Sequence, residues 1–180
     1  IAPLLPYGSV VVFQKHVKDV LNLGGNDWHS WASIGLEPHE VAFVHVRATE
    51  NAYATHAPYL LEAAKHCDGA ILELGCGEGS TPLLHNLNRF TATIDSNAEW
   101  LKKYAHFNRG RHIFEHLSDP AETEWLQRGN DGRWGIVFVD HAPGETRRVA
   151  VERARECANF VVVHDTEEHS YNFGSAFSKY

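Results

Sequence analysis

Apolar positions change their period along the chain, and the changes mark out its elements. Val10-Val11-Val12-Phe13 and Val41-Ala42-Phe43-Val44-His45-Val46 are short β-branched runs of the kind strands favour. The Gly-, Asn- and Trp-containing residues 23–31 between them predict an ordered loop or lid rather than a linker. From residue 52 the pattern becomes regular. Residues 52–65 carry apolar side chains at helical spacing, with Leu60, Leu61 and Ala64 expected on one face. Gly69 closes that segment, and residues 70–74 predict a buried strand. A glycine-rich turn leads into a helix through Asn88, and residues 90–94 predict a second strand ending at Asp95. A helix over 98–107 and a third strand over 111–115 follow. Asp119 with Glu122 three residues on predicts a capped helix reaching about Gln127. A fourth strand over 134–139 ends at Asp140, and a helix over 144–157 precedes a fifth strand over 160–163.

Strands alternating with helices imply an α/β fold: a doubly wound, mostly parallel sheet with helices on both faces. The expected organisation is one structural domain, with an amino-terminal extension or lid over 1–51 and a core over 52–180. In open α/β sheets the ligand sits beyond the carboxyl ends of the strands. Gly75, Asp95, Asp140 and Asp165 should therefore converge on one crevice.

Composition narrows the classes of function. A chain of 180 residues suits one domain. Its net charge of −7 argues against a surface that tracks nucleic-acid phosphates, which needs clustered Lys and Arg. No apolar run approaches the ~20 residues of a membrane helix, so no membrane partner is expected. Cys67, Cys76 and Cys157 form no CxxC pair and predict neither a disulfide framework nor a zinc site. A reducing, cytoplasmic compartment is the expectation that follows. Thirteen histidines and no methionine stand out, and a chain starting at Ile1 is expected to be a processed or trimmed product. Self-association into a homo-oligomer stays open.

The chemistry concentrates at Glu73-Leu74-Gly75-Cys76-Gly77-Glu78-Gly79-Ser80. Glycines there let the backbone turn tightly and let a ligand approach. The helix near Ser80 aims its first amides at whatever fills the turn. The GxGxG spacing differs from the GxGxxG of dinucleotide sites. Asp95, closing the next strand about 20 residues on, is placed to accept both hydroxyls of a ribose.

These residues resemble motif I of the class I S-adenosylmethionine-dependent methyltransferases. The resemblance extends through Thr93-Ile94-Asp95-Ser96-Asn97 to Val137-Phe138-Val139-Asp140-His141 and Val163-His164-Asp165-Thr166. The last two segments are similar to catechol-type, cephalosporin-hydroxylase-like and sugar O-methyltransferases. The resemblance covers roughly residues 52–170 and implies a Rossmann-like sheet with S-adenosylmethionine as cofactor. It places Gly75, Gly77 and the backbone near Cys76 under the methionine part, counts Gly79 and Ser80 among the cofactor-binding residues, and has Glu73 holding the methionine amino group or orienting the loop. It places Asp95 and Ser96 at the ribose, and His116, Leu117 and Ser118 beside the adenine. Asp140 would face the methionine moiety or a metal, and Asp165 would be a second carboxylate for Mg²⁺. Such enzymes finish with a helix and a two-strand hairpin; too little chain follows Val163 for that, so the hairpin is expected to be missing or replaced.

Departures matter too. The lysine base of catechol-type enzymes is absent, since Ala142, Pro143 and Gly144 follow Asp140-His141. His141 and His164 are the remaining candidates for a general base. No Asn-Pro-Pro-Tyr or Asp-Pro-Pro-Tyr follows the fourth strand, which tilts the acceptor towards an oxygen. Duller roles compete: Asp95 and Asp165 as helix caps, Asp140-His141 as turn residues, and Trp28, Trp31 and His29 as packing rather than an acceptor pocket. His16, His85 and His112 are expected at surface or satisfied positions, and Arg147-Arg148 and Arg153-Arg155 on a solvated helix face. The resulting expectation is an enzyme methylating an oxygen of a small molecule or sugar. A catalytically silent cofactor- or partner-binding protein and another nucleotide-binding α/β enzyme stand as alternatives.

Overall fold

Near-continuous apolar runs, the signature of strands buried on both faces, form the middle of the sheet. The computed structural model describes residues 10–12, 31–34, 41–44, 56–127, 133–166, 168–173 and 176. Its strands are β1 (Val10–Val12), β2 (Trp31–Ile34), β3 (Val41–Val44), β4 (Ile71–Leu74) and β5 (Thr91–Asp95). They continue with β6 (His112–His116), β7 (Trp134–Val139) and β8 (Ala158–Val163). The helices are α1 (Ala57–His66), α2 (Thr81–Asn86), α3 (Ala98–Tyr104) and α4 (Arg147–Cys157).

The sheet order is β2-β3-β1-β8-β7-β4-β5-β6. Its five core strands β4 to β8 are all parallel to their neighbours. Numbered along the chain, those five lie in the order 3-2-1-4-5, so the winding reverses between β4 and β7. That reversal is where doubly wound sheets bind their ligands. Beyond β8 the sheet continues with β1, which is parallel to both β8 and β3, and ends in the antiparallel β2. The sequence pattern missed β2, whose first residue Trp31 closes the stretch expected as a loop. Trp28, His29 and His16 lie outside the described residues.

Alternation along the strands sends side chains to two cores. Leu72, Leu74, Ile94, Val137, Val139, Val161 and Val163 pack with Ala150, Val151 and Ala154 of α4. Ile71, Ile136, Phe138, Phe160 and Val162 pack with Tyr59, Leu60, Ala63 and Ala64 of α1 and Leu84 of α2. The α1 stripe is thus centred on Leu60, and Leu61, one position round the helix, is exposed rather than on the apolar face.

Two further expectations change. Residues 119–127 form two 3₁₀ turns, Pro120–Glu122 and Glu124–Gln127, instead of one helix. Thr123 between them is extended at ψ 140° and breaks the ladder. Asp119 does cap the first turn, accepting from the Ala121 N–H. The last helix begins at Arg147, after a 3₁₀ turn at Gly144–Thr146. Among the described residues, no helix is long and apolar enough to cross a membrane.

Candidate functional site

The ends of β4, β5, β7 and β8 meet at the reversal in strand order. Gly75 takes φ +96°, a region open to glycine, and a Cβ there would lie 2.6 Å from the carbonyl carbon and oxygen of Asp140. The turn after β4 is therefore pressed against the end of β7. Asp95, 7% exposed, fastens the same turn to β5. Its Oδ2 accepts from the Cys76 N–H at 2.8 Å and its Oδ1 from the Asn97 N–H at 2.7 Å. The cap of α3 is Asn97, which accepts from the Glu99 and Trp100 amides, so Asp95 is free of that duty. Trp100 donates its indole N–H to the Cys76 carbonyl. Ser96 donates to the Ala142 carbonyl at 2.8 Å, joining the loops after β5 and β7. Leu117 donates its N–H to the Asp95 carbonyl at 3.1 Å, and a His116 ring nitrogen lies 3.0 Å from the Ser96 carbonyl. Ser118 is exposed nearby.

Glu73 is fully buried beneath the glycine turn. It accepts from Thr81 Oγ1 at 3.0 Å and from Thr93 Oγ1 at 2.6 Å, and Thr81 in turn accepts from the Gly77 N–H. Burial raises this carboxyl to about 7, against the lowering effect of its hydroxyl hydrogen bonds. Of the two roles left open for Glu73, its bonds in this structure are those of a loop-orienting residue. Thr93 also lies 2.7 Å from a ring nitrogen of buried His112, whose other ring nitrogen is 3.2 Å from His85. A polar layer thus runs beneath α2 from the glycine turn to the opposite edge of the sheet. There a cavity of about 220 Å³ opens, lined by His85, Arg89, Arg109, Arg111 and His112 among others. It lies at the amino ends of β5 and β6, away from the converging strand ends.

Arg147 organises the other half of the site. It was expected on a solvated face, yet it is 6% exposed. As the first residue of α4 it lies under the ends of β7 and β8. It donates to the carbonyls of His141 (2.7 Å), Asp140 (3.0 Å) and His164 (3.2 Å). Its guanidinium pairs with the Asp140 carboxylate at 3.0 Å and the Asp165 carboxylate at 3.3 Å. Arg153 likewise donates to the Ala121 and Thr123 carbonyls, whereas Arg148 pairs with Glu152 as a surface helix pair would. An arginine at the start of a helix, just after a strand-end acid, is the signal that marks Arg147 in the sequence.

The two imidazoles singled out as bases sit in contrasting surroundings. His141 is 1% exposed, with one ring nitrogen 3.1 Å from Thr146 Oγ1. Burial, and then the Arg147 charge, lower it to about 4. His164 reaches Asp140 Oδ1 at 3.0 Å and Asp165 Oδ1 at 3.3 Å. Its burial opposes charge, but those two carboxylates prevail and raise it to about 9. The His164 cation and Arg147 in turn hold Asp165 down at about 2, with its backbone at φ 55°.

One residue the sequence pattern did not mark also reaches this cluster. His56 precedes α1 and is 2% exposed, its ring edge-to-face with that of His164 at 4.9 Å between centroids. Ligand atoms of His56, Asp140 and His164 all lie within 4.8 Å of one another. The helix signal at Pro58, which favours the first helical positions, could have placed His56 at a helix mouth. The three cysteines are unpaired. No protein-family model matches the chain, and no curated protein matches it.

Proposed function

We propose that the chain binds S-adenosylmethionine at the turn after β4 and methylates an oxygen of a small molecule or sugar. The observation that carries this reading is the fastening of the Gly75–Gly77 turn to Asp95 at the strand-order reversal. A carboxylate has about four lone-pair sites. Two accept the Cys76 and Asn97 amides, which leaves capacity for the two hydroxyls of a ribose. Gly77 adds room, since a Cβ there would meet only Ser80 Oγ, at 3.5 Å. Ser96, Leu117 and Ser118 border the same side, where an adenosine would lie. When bound, the cofactor supplies an already activated methyl group, so the chain need only align the acceptor and manage its proton.

Asp140, His164 and Asp165 face the acceptor side in this reading. His164 is held between the Asp140 and Asp165 carboxylates on that side, and His141 holds the loop after β7 through Thr146. Three unpaired cysteines suit a reducing, cytoplasmic setting. One observation favours the second reading, a cofactor binder without catalysis. Neither His141 at about 4 nor His164 at about 9 is poised near neutrality as a general base.

Calorimetric titration with S-adenosylmethionine, its demethylated product and NAD tests the reading. Binding of the first two without NAD is the expected result. Absence of binding by either sulfur compound overturns both the enzyme and the silent-binder readings. Methyl transfer to a panel of hydroxylated acceptors then separates those two.

A further inference from the structure

We infer that His56, Asp140 and His164 form a binding site for a divalent cation of the zinc and ferrous class, and not for Mg²⁺. Mg²⁺ demands oxygen ligands in near-octahedral array. Among the described residues the one carboxylate within the cluster is Asp140, and Asp165 is held aside by Arg147 and His164. What the fold gathers instead is two imidazoles and one carboxylate, with ligand atoms within 4.8 Å of one another. Imidazole suits zinc, iron, copper and nickel, and two histidines with one carboxylate form a recurrent three-ligand face with open positions.

His56 supplies the independent sign that a ligand belongs there. It is 2% exposed, yet among the described residues neither ring nitrogen has a hydrogen-bond partner. Buried polar groups are nearly always satisfied, and an exception calls for an explanation. The main chain of Gly79 lies beside the ring without making a bond of normal geometry. His164 already leans on Asp140 at 3.0 Å, so the two remaining donors are held together before any cation arrives.

Charge and distance agree with this assignment. With both imidazoles as neutral ligands, the two carboxylates less Arg147 leave the cluster one negative charge, complementary to a dication. Tetrahedral bonds of about 2.0–2.1 Å place ligand atoms roughly 3.3 Å apart. His164 Nδ1 and Asp140 Oδ1, 3.0 Å apart, already stand near that spacing. Asp165 and Arg147 then act behind the ligands, Asp165 on His164 and Arg147 on Asp140. Three protein ligands leave a position for water or a substrate oxygen. If the methyl-transfer reading holds, a coordinated hydroxyl there has its pKa lowered by the cation. Metal binding itself does not depend on that reading.

The test uses the full chain, stripped with EDTA and dialysed. Calorimetry with Zn²⁺ alone and Mg²⁺ alone should show one tight Zn²⁺ site per chain and much weaker Mg²⁺ binding. Co²⁺ should give the intense visible bands of a low-coordinate site with nitrogen ligands. His56→Ala and Asp140→Asn, each removing a ligand rather than an outer partner, should weaken Zn²⁺ by about a hundredfold or more. His116→Ala, at an exposed imidazole, should leave it unchanged. Circular dichroism verifies folding, and His56→Gln replaces His56→Ala if the smaller side chain unfolds the protein. Absence of a 1:1 Zn²⁺ site, equal affinity for Mg²⁺, or full affinity in a folded His56 variant overturns the assignment. Loss of affinity in His116→Ala alone assigns the zinc to the surface and overturns it equally.

Discussion

Single residues carry most of the tension in this site. At Gly75 a side chain has no room, because its Cβ would sit against the Asp140 carbonyl and its φ is +96°. Gly75→Ala should therefore cost about 3 kcal/mol or more, from strain and the forced shift of β7, read as a lower urea midpoint. Glu73 offers a subtler test. Its carboxyl is raised from an ordinary 4.5 to about 7, so its contribution is complete below about pH 4.5 and is lost as pH rises through 7. Glu73→Gln keeps an acceptor for Thr81 and Thr93 but cannot ionise. Relative to the parent it should gain up to about 3 kcal/mol between pH 4.5 and 7.5, followed by urea unfolding at each pH. A constant difference between the two proteins across that range would show that folding does not raise the Glu73 carboxyl above its ordinary value.

At the scale of elements, caps and first turns position the chemistry. Asn97 accepts two amides at the start of α3, a short helix that presents Trp100 to the Cys76 carbonyl. Asn97→Ala should lose about 1 kcal/mol of stability, measured by thermal melting. Trp100 is 39% exposed above the glycine turn. Its fluorescence should change on binding of the demethylated cofactor, and a Trp100→Phe variant should lose that signal. The elements themselves were largely legible. β4, β7 and β8 announce themselves as largely apolar runs, because strands buried on both faces tolerate little else. Less legible were residues 119–127, where the Asp119 cap and acidic first turn resemble a helix start while Thr123 interrupts the ladder. Arg147 was also misleading. Arg147 and Arg148 are adjacent in sequence but point about 100° apart on the helix, so α4 buries the first under the strand ends and leaves the second paired with Glu152 on its outer side.

For the whole molecule, the buried titratable groups set a stability profile. His56, His112 and His141 are each lowered to about 4, chiefly by burial. The unfolded chain binds their protons near pH 6.5 and the folded chain does not, so stability falls as pH drops from there towards 4. Glu73 offsets part of that loss, as its sign is opposite. On the other side His164, raised to about 9, contributes fully below about 6.5 and loses its contribution as pH rises through 9. Unfolding free energy in EDTA should therefore peak near pH 6–7. It should fall by at most about 2–3 kcal/mol per pH unit on the acid side and about 1 on the alkaline side. A plateau from pH 5 to 9 in urea titrations would contradict these assignments, and His164→Asn should remove the alkaline decline alone.

Local pattern by itself determined the alternation of strands and helices, the glycine turn after β4, and the acids at strand ends. These follow from period, turn chemistry and backbone sterics, which act between near neighbours in the chain. Only the tertiary structure decided which groups meet. The addition of β1 to the edge at β8 joins residues 10–12 to 161–163, a pairing no local period encodes. The same holds for the meeting of His56 with Asp140 and His164, and for the burial of Arg147 between two carboxylates. Hydrogen bonding, burial and charge there depend on distance in space. Separation along the chain carries almost none of that information, so the chemistry of the site emerges only once the sheet is assembled.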